Sequence, residues 1–522
     1  MKKLNIFAAS LIALGLFSCD MDKYPYDALE ETTYMATMND FANARVGLYS
    51  YYRSLTTGGY ILTSEIQGDD FNAVSGFSNS YGNAYRWDFQ STDGNIEAIW
   101  SAYYAHIARA NYYIDSYNKI VEAETTTFTE EEIATLGAYT AEAYFTRANA
   151  YLTLAGYFCK GYDAATAETD LGLPLQLTYA PSSDASTYPG RSSMKATYAQ
   201  IMSDIADAER LINPSLILTK DQNALNYISA DVVTALKARA ALQMKDYATA
   251  VTASTSLIAS GDYPLIDVNT QAGVNAFYDL WEFDEGTEVM WQIYLSPDEL
   301  GSATGTTFWG QYKESDQSQQ IMDYIPTQSL VNLYDVNDIR LSVYFAPFTL
   351  TVASGAQGDI YVFNKYPGNP ELNASLNVDQ HYTNYPKPFR ISEQYLIAAE
   401  AYAGSKNLSK AGEYLNALKS KRILGYDAKP YNNEATFMTA LQDERHRELV
   451  GEGFRLVDLK RWGIGVNRGN APQNANLVLY PGAETTTALN KAANDFRMVW
   501  PIPKSEMDAN PQLNYLINKR LF

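Results

Sequence analysis

The sequence predicts a mainly α-helical protein, built from paired helices with a loop-rich lobe inserted between them. Three observations support this fold class. Apolar residues recur at helical spacing before about residue 263 and again after residue 386, two segments share a helix–turn–helix pattern, and the helical period is lost between them. We therefore predict a single domain over 39–522, with a tetratricopeptide-like helical-hairpin framework at about 39–263 and 386–522. The inserted lobe, at about 264–385, is expected to contain short β-strands.

The first residues have the pattern of a signal peptide, predicted over 1–18. Lys2 and Lys3 form a basic start, and the apolar run 4–17 that follows is too short to span a bilayer comfortably. No later segment is long and apolar enough to be a transmembrane helix. The chain is therefore expected to be exported.

The end of this segment, "LFSC", resembles a bacterial lipobox, in which cleavage leaves a lipidated Cys19 as the first residue. Phe17 is bulkier than the residue usual at its position, and ordinary secretory cleavage near Ser18 is the alternative. Several acyl chains suffice for stable anchoring, so 19–38 is predicted to be a lipidated tether and extended lead-in. Lipidation of Cys19 would leave Cys159 without a disulfide partner, and we expect that thiol to be buried.

Helical periodicity then runs through several segments in order. They are "MNDFANARVGLYSYYRSL" (38–55), "IEAIWSAYYAHIARANYYIDSY" (96–117), "LGAYTAEAYFTRANAYLTLAGYF" (136–158) and "TYAQIMSDIADAERLI" (197–212).

Two later pairs of segments predict helical hairpins. Each pair carries small residues on its first helix, which let helices approach closely, and a short turn, "KDYATA" or "KNLSKA". The alanines are Ala235, Ala238 and Ala241 in the first pair and Ala398, Ala399 and Ala401 in the second. The pattern resembles tetratricopeptide repeats, whose period is about 34 residues. An αα-hairpin core without a repeat origin is the alternative.

Two stretches are rich in glycine, polar residues and aromatic rings. Residues 64–95 show no helical period, and a long aromatic loop of this kind predicts either an interaction surface or a flap over the core. The lobe contains "TFWGQY", flanked by glycines, and "TEVMWQIYL", whose alternation predicts a strand.

The charge excludes one class of partner. The net charge is −21, and no cluster of Lys and Arg stands out, so the sequence argues against nucleic-acid binding. The 42 tyrosines suit either a ligand-binding surface or a tyrosine-rich helical core.

Catalytic motifs are not found. The sequence has no zinc-protease histidine pair, no Cys-x-x-Cys, no phosphate-binding glycine loop and no nucleophile elbow, so we predict neither a cofactor nor a metal ion. His106 and His381 are isolated and are interpreted as structural or surface residues. Asp69 and Asp70 sit in the aromatic stretch, and a glycosidase needs only two carboxylates, so that alternative stays open.

The stretch "RHRELVGEGFRLVDLKRW", residues 445–462, has the composition of a catalytic site. Its spacing instead predicts two short helices joined by a glycine elbow at Gly451 and Gly453 and tied by arginine–carboxylate bonds. Glu452, between the glycines, is expected to accept backbone N–H groups or to pair with arginine. We therefore favour a structural role for this stretch over a catalytic one.

The same stretch resembles the C-terminal signature of the SusD/RagB family of Bacteroidetes outer-membrane nutrient-binding lipoproteins. The matching residues are Arg445, Glu448, Leu449, Glu452, Gly453, Arg455, Asp458, Leu459, Arg461 and Trp462. Further similar stretches run along the chain, including "AEAYFTRANAYLTLAGYF" and "WPIPKSEMDANPQL", and the departure is the ending "NYLINKRLF".

The resemblance implies a non-enzymatic surface lipoprotein, anchored in the outer membrane by lipid and facing the cell exterior. Members of the family cover a SusC-like TonB-dependent transporter and bind oligosaccharides, or in some members peptides. An oligosaccharide is therefore the expected ligand. A peptide-binding member of the family, and less favoured a surface glycosidase, are the alternatives.

Aromatic loops are the expected ligand site, because sugars offer weakly apolar faces that stack on rings and hydroxyls that form hydrogen bonds. The rings proposed to form the site are Tyr81, Tyr85, Trp87, Phe308, Trp309 and Tyr312, with Asp70 and Asn83 as polar partners. The alternative is that Trp87 or Trp309 anchors its loop in the core.

Overall fold

The computed structural model describes residues 35–217, 223–300, 304–305, 308, 311–313, 318–320, 322–373, 382–468, 472–479 and 490–513. Its helices are α1 (Met38–Leu55), α2 (Gly59–Gln67), α3 (Gly82–Arg86), α4 (Gly94–Glu122), α5 (Glu130–Phe158), α6 (Met194–Leu211), α7 (Pro214–Ile217), α8 (Ala230–Gln243), α9 (Tyr247–Ser260), α10 (Gln271–Glu282), α11 (Gln328–Val331), α12 (Ile339–Tyr344), α13 (Pro370–Asn373), α14 (Ile391–Gly404), α15 (Leu408–Ser420), α16 (Glu434–Leu449), α17 (Arg455–Trp462) and α18 (Lys504–Ala509). Its strands are β1 (Phe71–Ala73), β2 (Leu171–Pro174), β3 (Arg191–Ser193), β4 (Val289–Trp291), β5 (Gln311–Lys313), β6 (Ser318–Gln320), β7 (Tyr324–Pro326), β8 (Phe345–Thr351), β9 (Gln357–Phe363) and β10 (Phe389–Arg390).

The chain divides into two units, residues 1–45 and 46–522. Of the first unit the structure describes residues 35–45, which include the first turns of α1. The predicted signal peptide and Cys19 lie outside the described residues. Among the described residues, no helix has the length and hydropathy needed to cross a bilayer.

The long antiparallel helices α4 and α5 begin at side-chain caps. The carboxylate of Asp93 accepts the first free N–H groups of α4, and Thr129 and Glu132 form a capping box at the start of α5. α5 packs against α4 and α6 and is buried along most of its length. Cys159 follows α5 with its thiol free and buried, as predicted.

Both predicted hairpins are confirmed, as α8–α9 and α14–α15. Their turns match in detail, because Lys245 and Lys406 each adopt the left-handed conformation at φ 61°. The next residues, Asp246 and Asn407, then cap the second helices. α9 packs against α14, and small residues of both hairpins share one cluster, with Ala238, Ala241, Ala250, Ala253 and Ala401 at its centre. Alanine allows this close approach of backbones.

The lobe contains more helix than the sequence predicted. α10 lies within the segment where the helical period was expected to be lost, and it buries Phe277, Leu280 and Trp281 on one face. Val274 and Ala276 pack against the same core, so the apolar positions do follow helical spacing, but over only 12 residues between stretches rich in glycine and polar residues. The strand predicted in "TEVMWQIYL" is confirmed but is short, at β4.

Antiparallel strand pairs join the lobe to the framework. β1 pairs with β7, placing Phe71 opposite Pro326, and β4 pairs with β10, placing Trp291 opposite Phe389. The stretch 64–95, expected to be a loop, begins as the end of α2, continues into β1 and includes α3. Its rings therefore belong to a packed part of the molecule.

Candidate functional site

The glycine elbow between α16 and α17 is held by buried charges. Gly451 and Gly453 have φ angles of 77° and 87°, which favour glycine. Their N–H groups donate to the carboxylate of Glu65, at 3.2 and 2.6 Å. Burial, and secondly the charge of Asp70, raise the pKa of Glu65 to about 8. The elbow predicted from the sequence is confirmed, although Glu65 and not Glu452 receives its N–H groups.

Glu448 lies at the centre of a buried charge cluster. Its carboxylate accepts hydrogen bonds from Arg340 at 3.0 Å, from Arg390 at 2.8 Å and from Arg422 at 3.0 and 3.1 Å. All four side chains are buried. Burial alone would raise the pKa of Glu448, but the three guanidinium groups hold it well below its ordinary value. The arginines and carboxylates of this stretch are therefore bonded to one another, which agrees with the structural interpretation.

Glu452 connects this cluster to a cavity. Its carboxylate pairs with Lys365 at 2.7 Å and Arg390 at 2.5 Å. Burial lowers the pKa of Lys365 to about 8, although Glu452 opposes the shift. Glu452, Gly453 and Phe454 form one wall of the cavity.

The cavity has a volume of about 160 Å³ and lies where the framework, the lobe and the elbow meet. Its lining combines aromatic rings with hydrogen-bonding groups: Tyr60, Tyr103, Tyr157, Trp281, Tyr366, Tyr385 and Phe454, together with Thr56, Asn149, Gln243, Arg239, Lys387 and Glu452 among others. The volume is below the ~300–1,000 Å³ of common small-molecule pockets. The cavity therefore has room for one or two rings of a ligand but not for a long chain.

The charged residues lining this cavity are all neutralised by partners. Arg239 forms two hydrogen bonds to Glu393, at 2.9 and 2.6 Å, and stacks over neighbouring aromatic rings. Lys387 pairs with Asp284 at 2.5 Å. A lining with paired charges and half-buried tyrosines is suited to a neutral ligand that offers hydroxyl groups.

Tyr60 and Tyr385 are half-buried rings of this lining, so part of each ring is open to solvent. Burial raises the pKa of both phenols, so both stay protonated at neutral pH and can donate hydrogen bonds. Tyr294 extends the aromatic surface beyond the cavity. Its ring is 50% exposed, and its centroid lies 6.2 Å from that of Tyr385.

Three of the six rings predicted to form a stacking platform are core residues. Tyr85 and Trp87 are 1% and 0% exposed, and the indole N–H of Trp87 donates to the carbonyl of Gln67 at 3.0 Å. Phe308 is 0% exposed and packs on Phe71 and Phe363. These three rings are therefore not available to stack on a ligand in this structure, because they fill the core between α2 and the lobe strands.

The remaining predicted residues are divided between the loop surface and parts that the structure does not describe. Tyr81 is partly buried against the aromatic cluster of the lobe, and Asn83 is exposed but bonded to Asp93 at 2.8 Å. Trp309 lies outside the described residues, as does the side chain of Tyr312, whose backbone lies in β5.

Asp70, predicted as a polar ligand contact, is instead completely buried and touches the imidazole of His446. Its neighbour Asp69 pairs with Arg455 through two bonds, of 2.7 and 2.9 Å. Asp69, Asp70 and His446 each offer one ligand atom, and these atoms all lie within 4.8 Å of one another, an arrangement that can hold a metal ion. Sequence reasoning missed this grouping because His446 and Asp70 are 376 residues apart.

His106 is structural, as predicted. It is buried beside Tyr52, and its Nε2 lies 3.2 Å from the carbonyl of Leu48. His381 lies outside the described residues. The cavity residues Tyr60, Gln243 and Tyr385 were not singled out from the sequence, because they come from separate segments with no shared motif.

Two family models match the chain. One, described as the SusD family, matches residues 352–516. The other, described as "Starch-binding associating with outer membrane", matches residues 21–224. The chain is also 23% identical to a SusD-like protein of Formosa agariphila over 98% of both chains. A second SusD-like protein of that organism is 28% identical over 24% of this chain and 22% of its own length.

Solved structures share the fold over nearly the whole chain. A SusD superfamily protein from Bacteroides thetaiotaomicron aligns with a TM-score of 0.72 and 24% identity, covering 92% of this chain and 99% of its own. A protein described as a putative sugar binding protein from Bacteroides vulgatus aligns with a TM-score of 0.72 and 23% identity, covering 92% of this chain and 98% of its own. A protein of that species described as a SusD-like carbohydrate binding protein aligns with a TM-score of 0.72 and 20% identity, covering 92% of this chain and 98% of its own.

Proposed function

Because the chain belongs to the SusD family, whose members are associated with the outer membrane, we propose that it captures neutral oligosaccharides at the cell surface and delivers them to a SusC-like TonB-dependent transporter. Family membership supports a carbohydrate-binding role in place of an enzymatic one. Attachment through a lipidated Cys19 and exposure to the cell exterior are part of the proposal.

The observation that carries the proposal is the lining of the cavity between framework, lobe and elbow. It places half-buried tyrosine rings beside amide and hydroxyl groups, and its Arg239, Lys387 and Glu452 are already paired with other side chains. A sugar ring offers C–H faces for stacking and hydroxyl groups for hydrogen bonds, and it brings no charge that needs a partner. A peptide terminus or an acidic sugar would have to compete with those ion pairs.

The aromatic pair Tyr294 and Tyr385 extends the proposal from one ring to a chain. An exposed ring next to the cavity gives a second sugar unit a surface to stack on. Tyr81, Asn83, Trp309 and Tyr312 remain proposed secondary contacts. The occupant of the cavity would then be the end of an oligosaccharide and not its middle.

Titration calorimetry tests the proposal, with the protein starting at Asp20 and panels of neutral oligosaccharides, acidic oligosaccharides and peptides. We expect saturable heat from a neutral class. Replacing Tyr385 or Tyr60 by alanine should weaken affinity about tenfold, which corresponds to about 1.4 kcal/mol. Tyr278→Ala is the matched control, because this exposed tyrosine does not line the cavity.

Binding that survives both cavity substitutions but is lost in Trp309→Ala would move the site to the second aromatic loop. Heat from peptides alone would favour the peptide-binding alternative. Co-purification of the transporter with the lipidated protein from outer membranes tests the partner separately, and its failure leaves the ligand result unaffected.

A further inference from the structure

We propose that Asp69, Asp70 and His446 form a binding site for a divalent transition-metal ion of the Zn²⁺ class, which fastens the segment after α2 to α16. This site is separate from the cavity proposed for the oligosaccharide, and the inference does not depend on that function. Its ligand atoms, one from each side chain, lie within 4.8 Å of one another.

An unsatisfied buried oxygen is an independent sign of a ligand. Asp70 is 0% exposed, its Oδ1 contacts Nε2 of His446, and its Oδ2 has no hydrogen-bond partner among the described residues. A buried carboxylate oxygen without a partner is costly, and a metal ion is one of the few groups that compensate it. His446 and Asp69 are about nine-tenths buried, so the site is largely shielded from water.

The charge around the site is mixed. The carboxyl groups of Glu65, Asp69 and Asp70 lie near one another, and Arg455 pairs with Asp69 while its charge also acts on Asp70. Arg468 is close by, but it donates to the carbonyls of the chain around the end of α2, at Ile66, Gln67, Gly68 and Tyr85. Burial, and then the charge of Asp70, raise the pKa of Glu65 to about 8, so Glu65 adds little negative charge at neutral pH. A divalent cation at Asp70 would give its unpartnered Oδ2 a partner.

The donor set selects the kind of metal. Two carboxylate oxygens and one imidazole nitrogen suit Zn²⁺ and related transition ions, whereas Ca²⁺ and Mg²⁺ prefer oxygen alone. A carboxylate has about four lone-pair positions, so the two bonds from Arg455 leave Asp69 able to bind a metal. Three protein ligands leave a fourth tetrahedral position for water.

Rigid elements hold the donors in place. His446 lies on α16, and the carbonyls of Asp69 and Asp70 accept hydrogen bonds from Thr327, at 3.3 Å from its hydroxyl and 2.8 Å from its N–H. The aspartates therefore keep their position beside the helix before any ion binds, which favours affinity because little ordering remains.

The experiment is a titration of ZnCl₂ into the EDTA-treated protein starting at Asp20, followed by calorimetry and by metal analysis after dialysis. We expect one Zn²⁺ per chain and a higher melting temperature in its presence. His446→Gln and Asp70→Asn should each weaken the affinity at least tenfold. The control His381→Gln should bind like the unsubstituted protein.

Visible absorption of bound Co²⁺ gives a direct readout on the unsubstituted chain, with a spectrum typical of mixed nitrogen and oxygen ligands expected. It decides the question even if Asp70→Asn does not fold. The absence of stoichiometric Zn²⁺, or equal affinity in His446→Gln, overturns the proposal. So does a doubly protonated His446, seen by NMR, in a chain that binds no Zn²⁺, because an imidazolium would then neutralise Asp70 by itself.

Discussion

Glu448 is the residue on which the buried charge cluster depends, because three arginines share its carboxylate. Glu448→Gln keeps the volume but removes the charge, leaving guanidinium groups buried with too little compensation. We expect the free energy of unfolding to fall by about 3–5 kcal/mol. Urea unfolding followed by circular dichroism measures it.

The matched control for Glu448 is Glu413→Gln, which breaks an ion pair between Lys410 and Glu413 whose partners are both at least half exposed. Exposed ion pairs contribute little to the free energy of unfolding, so the urea midpoint of Glu413→Gln should equal that of the unsubstituted protein. If Glu448→Gln lowered the free energy of unfolding as little as this control does, the charge cluster would not be important for stability.

The imidazole of His106 makes the free energy of unfolding depend on pH. Burial lowers the pKa of its imidazole from 6.5 to about 3. Between these values the unfolded chain takes up a proton and the folded chain does not, so stability falls as pH falls through 6.5. From pH 7 to pH 5 this single group should cost about 2 kcal/mol.

His106→Gln tests that sign, because glutamine can still donate to the carbonyl of Leu48 and does not titrate. The variant should lose less stability than the unsubstituted protein between pH 7 and pH 5, as read from urea midpoints at both values. Identical losses would show that His106 is protonated in the folded protein.

At the scale of elements, the two glycines of the elbow between α16 and α17 are required for different reasons: both for their backbone conformation, and Gly451 also for lack of space. A Cβ at Gly451 would meet the Phe363 ring at 2.7 Å, whereas a Cβ at Gly453 would lie no closer than 3.6 Å to a neighbouring side chain. Both have positive φ. Gly453→Ala should therefore cost the ~1–2 kcal/mol of a left-handed L-residue, and Gly451→Ala an overpacking cost of ~1–3 kcal/mol in addition.

Paired urea titrations of the two alanine variants measure this difference directly, and each serves as the control for the other. Equal losses would mean that Phe363 moves aside at no cost. Binding of the neutral oligosaccharide should be affected by Gly453→Ala, since Gly453 lies in the wall of the cavity.

Local patterns were predictable and long-range placement was not. The hairpins α8–α9 and α14–α15 follow from alanine spacing and turn residues that lie within about 30 positions of each other. The partners of Glu448 do not, because Arg340 and Arg390 lie 108 and 58 positions away. Glycine and serine around Trp87 indicated a loop. Composition does not determine which way a ring points, and the structure places the Trp87 ring in the core.

At the scale of the whole molecule, the lobe and the framework are joined by more than packing. β1 and β10 lie in or beside the framework and pair with β7 and β4 of the lobe. Arg340 lies in the lobe and Glu448 in the framework, and both are buried at their contact. Separating the two parts would expose strand edges and unpaired charges, so each part depends on the other.

We therefore expect residues 46–522 to unfold in one cooperative transition, with the lobe at about 264–385 having no stability of its own. The test uses two probes in urea, far-UV circular dichroism for the framework helices and hydrogen exchange, read by mass spectrometry, for peptides from the lobe. Phe308→Ala removes a buried lobe ring and should cost about 3–5 kcal/mol, and Leu236→Ala in α8 about 2–5 kcal/mol. Each should lower both midpoints together, because strand pairs and the Glu448 cluster couple the two parts. A hydrogen-exchange midpoint of the lobe peptides that falls alone in Phe308→Ala would instead make the lobe a separate folding unit.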